Sequence, residues 1–321
     1  MPSITARNVN DAYHEALWRM KIMGEVSDSR NGKVMRMPGP MVTTYRRPTE
    51  RMLMDPMRDA NPFFHIFEGI WMLAGRNDVK WISQFNANIG QYSDTAVTFE
   101  GAYGHRWRNH WDDDQLVWVI EHLRKNPNSR RAVMAMYDPQ TDQPNTDHNG
   151  LDIPCNTGIY FGIAGGVLNM TVTCRSNDMI WGCYGANAVH MSMLQEFIAS
   201  ALGINVGRYY QFSNDFHIYE RHFELLESPA YPDPYRTSFH HEPLTTQRYW
   251  SGDVIQFEQW LDAPDDQYDA PYIVRVANPM LTAWVAYKNK DKDRALYYAD
   301  RVQDSAVRAA CIDWLVRRKW A

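Results

Sequence analysis

With 321 residues, 45% of them hydrophobic and 13% aromatic, the chain can bury the core of one large domain or two smaller ones, which excludes disorder as its default state. A formal net charge of -5 excludes a general electrostatic attraction to nucleic acid or to an anionic membrane, so any anion site must be a local cluster of arginines and the partner is expected to be small. No apolar stretch approaches the ~20 residues of a membrane span, and the opening MPSITARNVNDAYHEALWRM has no signal-peptide core, so a cytoplasmic protein is expected.

Helix-like spacing covers residues 10–23, 62–73 and 115–125, the third preceded by Asp112, Asp113 and Asp114, whose charge suits a helix N-terminus. Residues 132–137 are a short apolar run between NPNSRR and DPQTDQPN, as a buried strand would be. IYFGIAGGVLNMTVTCRS reads as two strands of a hairpin joined around Gly165 and Gly166. In its second strand, period-two alternation puts Asn169, Thr171, Thr173 and Arg175 on one face and Leu168, Met170, Val172 and Cys174 on the other. Arg175 and Ser176 leave that strand together, a cation and a hydroxyl suited to an oxyanion, or equally a solvated strand end. Residues 187–202 carry the next helical pattern, with Gly203 as its stop. VGRYYQFSNDFHIYERH then mixes aromatic and polar side chains; if it is extended, His217 and Tyr219 share a face and can either hydrogen-bond a sugar or serve the structure. No spacing resembles a metal motif, and His240-His241 is expected to be a surface pair. Repeats and linkers are absent, nothing marks a domain boundary before about residue 225, and the last stretch, from residue 288, suggests one or two helices.

The four cysteines, Cys155, Cys174, Cys183 and Cys311, make neither a disulfide framework nor a C-x-x-C pair. Cys174 and Cys311 read as small buried hydrophobes. Cys155 stands apart: DIPCNTG sets it directly after a proline and just before the strand-like run 159–163.

PCNTGIYF, CRSND, NAVHMSMLQEFIASALGINVG and NDFHIY, preceded by IFEGIWMLAG, YGHRW and NSRR, follow the order of the thymidylate synthase superfamily, which the chain resembles over about residues 25–225. The resemblance implies an α/β (α+β) fold, a large bent β-sheet flanked by helices, whose sheet face forms the interface of a homodimer. The unit implied is a single catalytic domain over residues 1–321, with 226–321 a divergent, helical C-terminal extension of it. The chemistry implied is alkylation at C5 of a pyrimidine nucleotide with 5,10-methylenetetrahydrofolate as co-substrate, without metal, nucleic acid or membrane. C5 is too poor a nucleophile to capture a one-carbon unit until a thiolate adds at C6, and this is the role the resemblance gives Cys155. It gives Glu68 and Tyr103 to proton transfer at the base, and Asn156 to the hydrogen bonding beside it. Phosphate binding falls to Arg30, Arg175, Ser176 and the pair Arg130 and Arg131, the pair reaching across from the other subunit. His217 and Tyr219 would hold the ribose, Asn187 the base, and Asp178 the folate.

Two departures narrow the reading. Where methyl-forming synthases carry a histidine after the nucleophile, this chain has Asn156, and where they carry two tryptophans against the folate it has Gly90 and Ser93. Without those rings water can reach the reactive methylene, so the 5-hydroxymethyl product of the family's hydroxymethylases is favoured over the methyl product. Asn187 favours deoxyuridylate over deoxycytidylate, although GCYGAN has one residue more than the family's usual loop; the choice between 2'-deoxyribose and ribose stays open. A catalytically silent nucleotide- or RNA-binding relative is the alternative of a different class, and the intact Cys155, Glu68, Tyr103, Arg175 and Asp178 argue against it. Modified viral DNA would be one use for such a product.

Overall fold

The computed structural model describes residues 2–236, 250, 254–265 and 267–320; His240-His241 lies outside the described residues. After β1 (Ser3–Ala6) comes α1 (Val9–Met23), which starts because the Asn8 side chain accepts from the backbone N–H groups of Asn10 and Asp11. The hairpin β2 (Glu25–Ser29) and β3 (Gly32–Arg36) leads to β4 (Met41–Tyr45). Asn61 caps α2 (Pro62–Leu73), and Pro62 occupies its first turn. Almost every residue of α2 is buried, so this helix runs through the centre of the molecule, and Glu68 is the one carboxylate on it. Short helices α3 (Val79–Ile82) and α4 (Tyr103–Arg108) precede α5 (Gln115–Lys125). Of the three aspartates before α5 it is Asp114 that caps it, accepting from Val117 N–H at 3.0 Å.

The expected strand at 132–137 is shorter, β5 (Val133–Ala135), and the polar stretch behind it is helical, α6 (Pro139–Asp147). Asp138 caps α6, and Asp142 is drawn inside by a buried ion pair with Arg106 at 2.7 Å. The hairpin β6 (Asn156–Ala164) and β7 (Val167–Asp178) follows, then α7 (Ala188–Ala201) and β8 (Asn205–Tyr219). Residues Met179–Asn187, between β7 and α7, form wide π-helical turns that sequence spacing did not indicate. Gly203 stops α7 in the left-handed region at φ +69.

Among the described residues the eight strands join one mixed sheet of order β1-β4-β8-β7-β6-β5, with β3 on the far half of β8 and β2 beyond it. The β7/β8 and β1/β4 pairs are parallel, the others antiparallel. Register aligns Met134, Ile159, Val172, Gln211 and Thr43 in one row across the sheet, every one of them buried beneath the helices. The next row, Val133, Tyr160, Thr171, Tyr210 and Thr44, points to the other face, where Tyr160 is 48% and Val133 38% exposed. The alternation expected for β7 is observed: Leu168, Met170, Val172 and Cys174 are buried. Cys311 is buried as well.

The remaining helices, α8 (Val254–Asp262), α9 (Asn278–Lys288), α10 (Lys292–Ala299) and α11 (Ser305–Val316), extend the same core rather than starting another. Phe63 on α2 meets Trp284 and Trp314, and Phe67 meets Trp260, with ring centroids 5.4–6.1 Å apart. Among the described residues no helix is long and apolar enough to cross a membrane.

Candidate active site

Cys155 ends the irregular segment between α6 and β6. Arg175, one strand away, holds that segment: its backbone N–H donates to the Cys155 carbonyl at 2.8 Å, Nε to the Pro154 carbonyl at 3.0 Å and Nη2 to the Ile153 carbonyl at 2.9 Å. The same Nη2 lies 3.7 Å from the Cys155 Sγ. Burial pushes the thiol above the usual cysteine range; Arg175 and Arg30 pull it back, while Asp152 and Asp178 add to the rise.

The thiol opens into a cavity of about 620 Å³. Trp71, Ile82, Ile89, Tyr92 and Phe99 give it apolar walls, and Glu68, Tyr103, Asp152, Ser176, Asp178, Asn187 and His190 its polar ones. A second recess of about 380 Å³, sharing Leu151, Ile153 and Ser176 with the first, is lined by Arg30, Arg36, Arg175, Asp215, His217 and Tyr219. Three guanidinium groups with the hydroxyls of Ser176 and Tyr219 in one recess are a local anion site on a chain of net negative charge. Asp215 sits 3.0 Å from Arg36 Nε and 2.9 Å from His217 Nδ1; these partners hold its carboxyl below the usual range and fix the imidazole with Nε2 free for a ligand.

Tyr103 begins α4, and burial raises its phenol well above the usual tyrosine value, so it is a proton donor rather than a phenolate. Both Asp178 oxygens already accept backbone N–H groups, from Ile180 at 3.0 Å and Trp181 at 3.3 Å. GCYGAN lies in the wide turns before α7, and Asn187 lines the cavity. Its amide accepts from Asn156 Nδ2 at 3.0 Å and donates to the Asn177 Oδ1 at 3.2 Å, which leaves Asn156 Oδ1 buried and unpaired.

Cys155, Glu68, Tyr103, Ser176, Asp178 and Asn187 thus share one cavity, with Arg30, Arg175, His217 and Tyr219 in the recess beside it. Asn156 lies behind this wall. Gly90 does not line the cavity, and a Cβ built on it would meet Val79 Cγ1 at 3.3 Å; its neighbours Ile89, Gln91 and Tyr92 do line it. Arg130 and Arg131 are exposed and line neither space within their own chain.

Sequence reasoning missed Arg36, Asp152, Asp215 and His190. Asp152 was visible three residues before the thiol in DIPCNTG. His190 follows Asn187 at helical spacing, so its sharing a wall with that residue was predictable. His65, Glu68 and His190 form a cluster whose potential metal-ligating atoms lie within 4.8 Å of one another, although no local spacing advertised it.

The profile of the family described as Thymidylate synthase matches residues 12–240. The chain belongs to the thymidylate synthase family. It is 42% identical over 341 aligned positions to a Deoxyuridylate hydroxymethyltransferase of Pseudomonas phage M6, covering 100% of this chain and 95% of that one. A protein of the same name from Bacillus phage SP01 is 38% identical over 59% of this chain and 51% of its own length. A Putative thymidylate synthase of Methanosarcina barkeri is 29% identical over 70% and 93%. Family membership bears on the mixed sheet already described and on the use of a nucleotide and a folate. The similarity to the M6 protein runs through α8–α11 as well, beyond the region the family profile covers.

Proposed function

We propose that this protein is a deoxyuridylate hydroxymethyltransferase, which converts dUMP, methylenetetrahydrofolate and water into 5-hydroxymethyl-dUMP and tetrahydrofolate. The observation that carries the reading is Cys155 at the junction of an arginine-lined recess and a cavity of about 620 Å³, in a chain with full-length similarity to a protein of that name.

The recess suits a phosphate on Arg30, Arg175 and Ser176, with a sugar hydroxyl on His217 Nε2 and Tyr219. A base extending from there reaches Cys155 and the Asn187 amide, which can both donate and accept, as the O4 and N3-H of uracil require. The walls of the larger cavity fit a folate: apolar side chains for a flat ring system, and Asp178 and the unpaired Asp152 Oδ2 for its N–H groups. The folate supplies a one-carbon unit at the oxidation level of formaldehyde. Cys155 adds to C6, Arg175 favouring the anion; Tyr103 and Glu68 move the protons at C5 and O4. In this reading water reaches the carbon being transferred from the polar wall where Glu68 and His190 stand; Gly90 and Ser93 lie off the cavity.

Residues 226–321 belong to the same catalytic unit in this reading, and a second copy of the chain completes the site with Arg130 and Arg131. No metal is assigned a part, and the phage relatives suggest a virus-encoded enzyme acting in the cytoplasm of its host. Mass spectrometry of the product formed from dUMP or dCMP with methylenetetrahydrofolate tests the assignment. The expected result is 5-hydroxymethyl-dUMP without the absorbance rise of dihydrofolate. Stoichiometric 5-methyl product with dihydrofolate would return the chain to the methyl-forming synthases, and preference for dCMP would reassign the base.

A further inference from the structure

Water capture sets a requirement that Cys155, Tyr103 and the phosphate ligands do not meet, because an attacking water must lose a proton within a largely apolar cavity. His190 is 2% exposed, yet neither of its ring nitrogens has a hydrogen-bond partner. A buried imidazole without partners is costly and calls for a ligand, a water or a proton-transfer role. His190 Nε2 lies 3.0 Å from Glu68 Oε2 without the alignment of a hydrogen bond, and both residues line the cavity that holds the thiol. His65, one turn before Glu68 on α2, also has an unpaired Nδ1. A metal ion among the three would explain the unpaired atoms, but the Arg58 guanidinium stands on the His65 side of the cluster. A Cβ built on Gly185 would lie 3.1 Å from Arg58 Nη2 and 3.7 Å from His65 Cε1, and that guanidinium nitrogen is itself buried and unpaired. A dication beside Arg58 would be repelled, whereas ordered water can bridge His65, Glu68 and His190, whose side-chain nitrogen and oxygen atoms lie within 4.8 Å of one another.

We propose that His190 is the proton acceptor for water capture, acting through Glu68 as the positioning partner of that carboxylate. This rests on the hydroxymethyl product. The water oxygen bonds to the exocyclic methylene carbon, and the π pair of that double bond moves into the ring as an enolate. One water proton passes to Glu68 and from it to His190 Nε2. The enolate then restores the C5=C6 bond and expels Cys155 as a thiolate with the C6–S pair, and the proton returns to solvent. No oxidant or reductant is consumed.

A small thiol that captures the methylene as its thiolate brings no proton to be removed, so it competes with water without needing His190. The full-length wild type, His190→Gln and His190→Ala are each given dUMP, methylenetetrahydrofolate and 2-mercaptoethanol, and the hydroxymethyl and thioether products are quantified by mass spectrometry. In His190→Gln, hydroxymethyl formation is expected to fall about 10²-fold, with the thioether-to-hydroxymethyl ratio rising at least about tenfold and the KM for dUMP within about threefold of wild type. Added imidazole is expected to restore hydroxymethyl formation in His190→Ala. Because the ratio is internal to each sample, partial loss of folded protein does not change it. An unchanged ratio with both products falling together overturns the inference and makes His190 structural. So does stoichiometric metal in the wild type whose removal by a chelator stops water capture. Wild type that forms only 5-methyl product overturns the hydroxymethyl reading itself, and this inference with it.

Discussion

The charges around Cys155 act in opposite directions, and each can be removed singly. Burial raises the thiol, Arg175 and Arg30 lower it, and Asp152 raises it further. The Asp152 carboxyl is itself pushed up by burial to about 6, so above that pH it faces the thiol as an anion. At neutral pH the protein therefore holds mostly thiol, and the thiolate grows tenfold per pH unit until the raised value is passed. Asp152→Asn is expected to speed alkylation of Cys155 by iodoacetamide about two- to tenfold near pH 7.5, and Arg175→Gln to slow it by a similar factor. The other three cysteines are buried, so peptide mass spectrometry of the labelled protein reports Cys155. Both variants shifting in the same direction would mean that the loop which Arg175 holds, and not its charge, governs the thiol.

At the scale of elements, helix starts carry much of the fold, and one of them is expensive. Asp304 caps α11, its side chain accepting from Ala306 and Val307 N–H, but it is buried, and burial lifts its carboxyl to about 6 in the folded chain. A carboxyl raised on folding contributes stability that is full below the unfolded value of about 3.9 and is lost as pH rises through about 6. Asparagine caps as well and cannot ionise. Asp304→Asn is expected to raise stability by about 1–3 kcal/mol near pH 7.5, the gain shrinking as pH falls toward 4. Thermal melts at the two pH values check it, and destabilisation at pH 7.5 would show that Arg51 needs the charge. The same local rules made the helices legible: residues 62–73 and 115–125 are bounded by an Asn or Asp cap, and 187–202 ends at the left-handed Gly203. The hairpin at 165–166 and the alternation of β7 were legible because period two is visible within a few residues. What was hidden depends on contacts distant in sequence. The polar stretch of α6 is helical beside a buried Arg106–Asp142 pair 36 residues apart, and the cluster of Glu68 with His190 joins two helices. Cys155 was found through its neighbours in sequence, whereas Arg36 and Asp215 entered the anion recess only through strand pairing.

For the whole molecule, the decisive question is why Arg130 and Arg131 stand exposed away from both recesses, directly before β5. The sheet face turned away from the helices begins at that edge with Val133 and Tyr160, 38% and 48% exposed, and continues through Thr171 and Tyr210. Two such faces brought together by a twofold axis would bury these side chains and carry each arginine pair toward the partner's phosphate recess. If so, one chain lacking the nucleophile and another lacking the arginines should repair each other. Cys155→Ser keeps its arginines, and an Arg130→Ala/Arg131→Ala chain keeps its thiol, so a mixed dimer holds one site with both and one with neither. Random reassortment puts half of the chains' dimers in the mixed form, and half of the sites in those are complete, so activity should recover to about a quarter of wild type. Each variant alone should be far weaker: Cys155→Ser through loss of the nucleophile, at least about 10³-fold in kcat, and the arginine variant through a higher KM for dUMP. The two are mixed, unfolded and refolded together, and turnover is compared with that of each refolded separately. Recovery no greater than the sum of the separate samples would mean that each subunit builds its phosphate site from Arg30, Arg175 and Ser176 alone, with Arg130 and Arg131 left as surface charge.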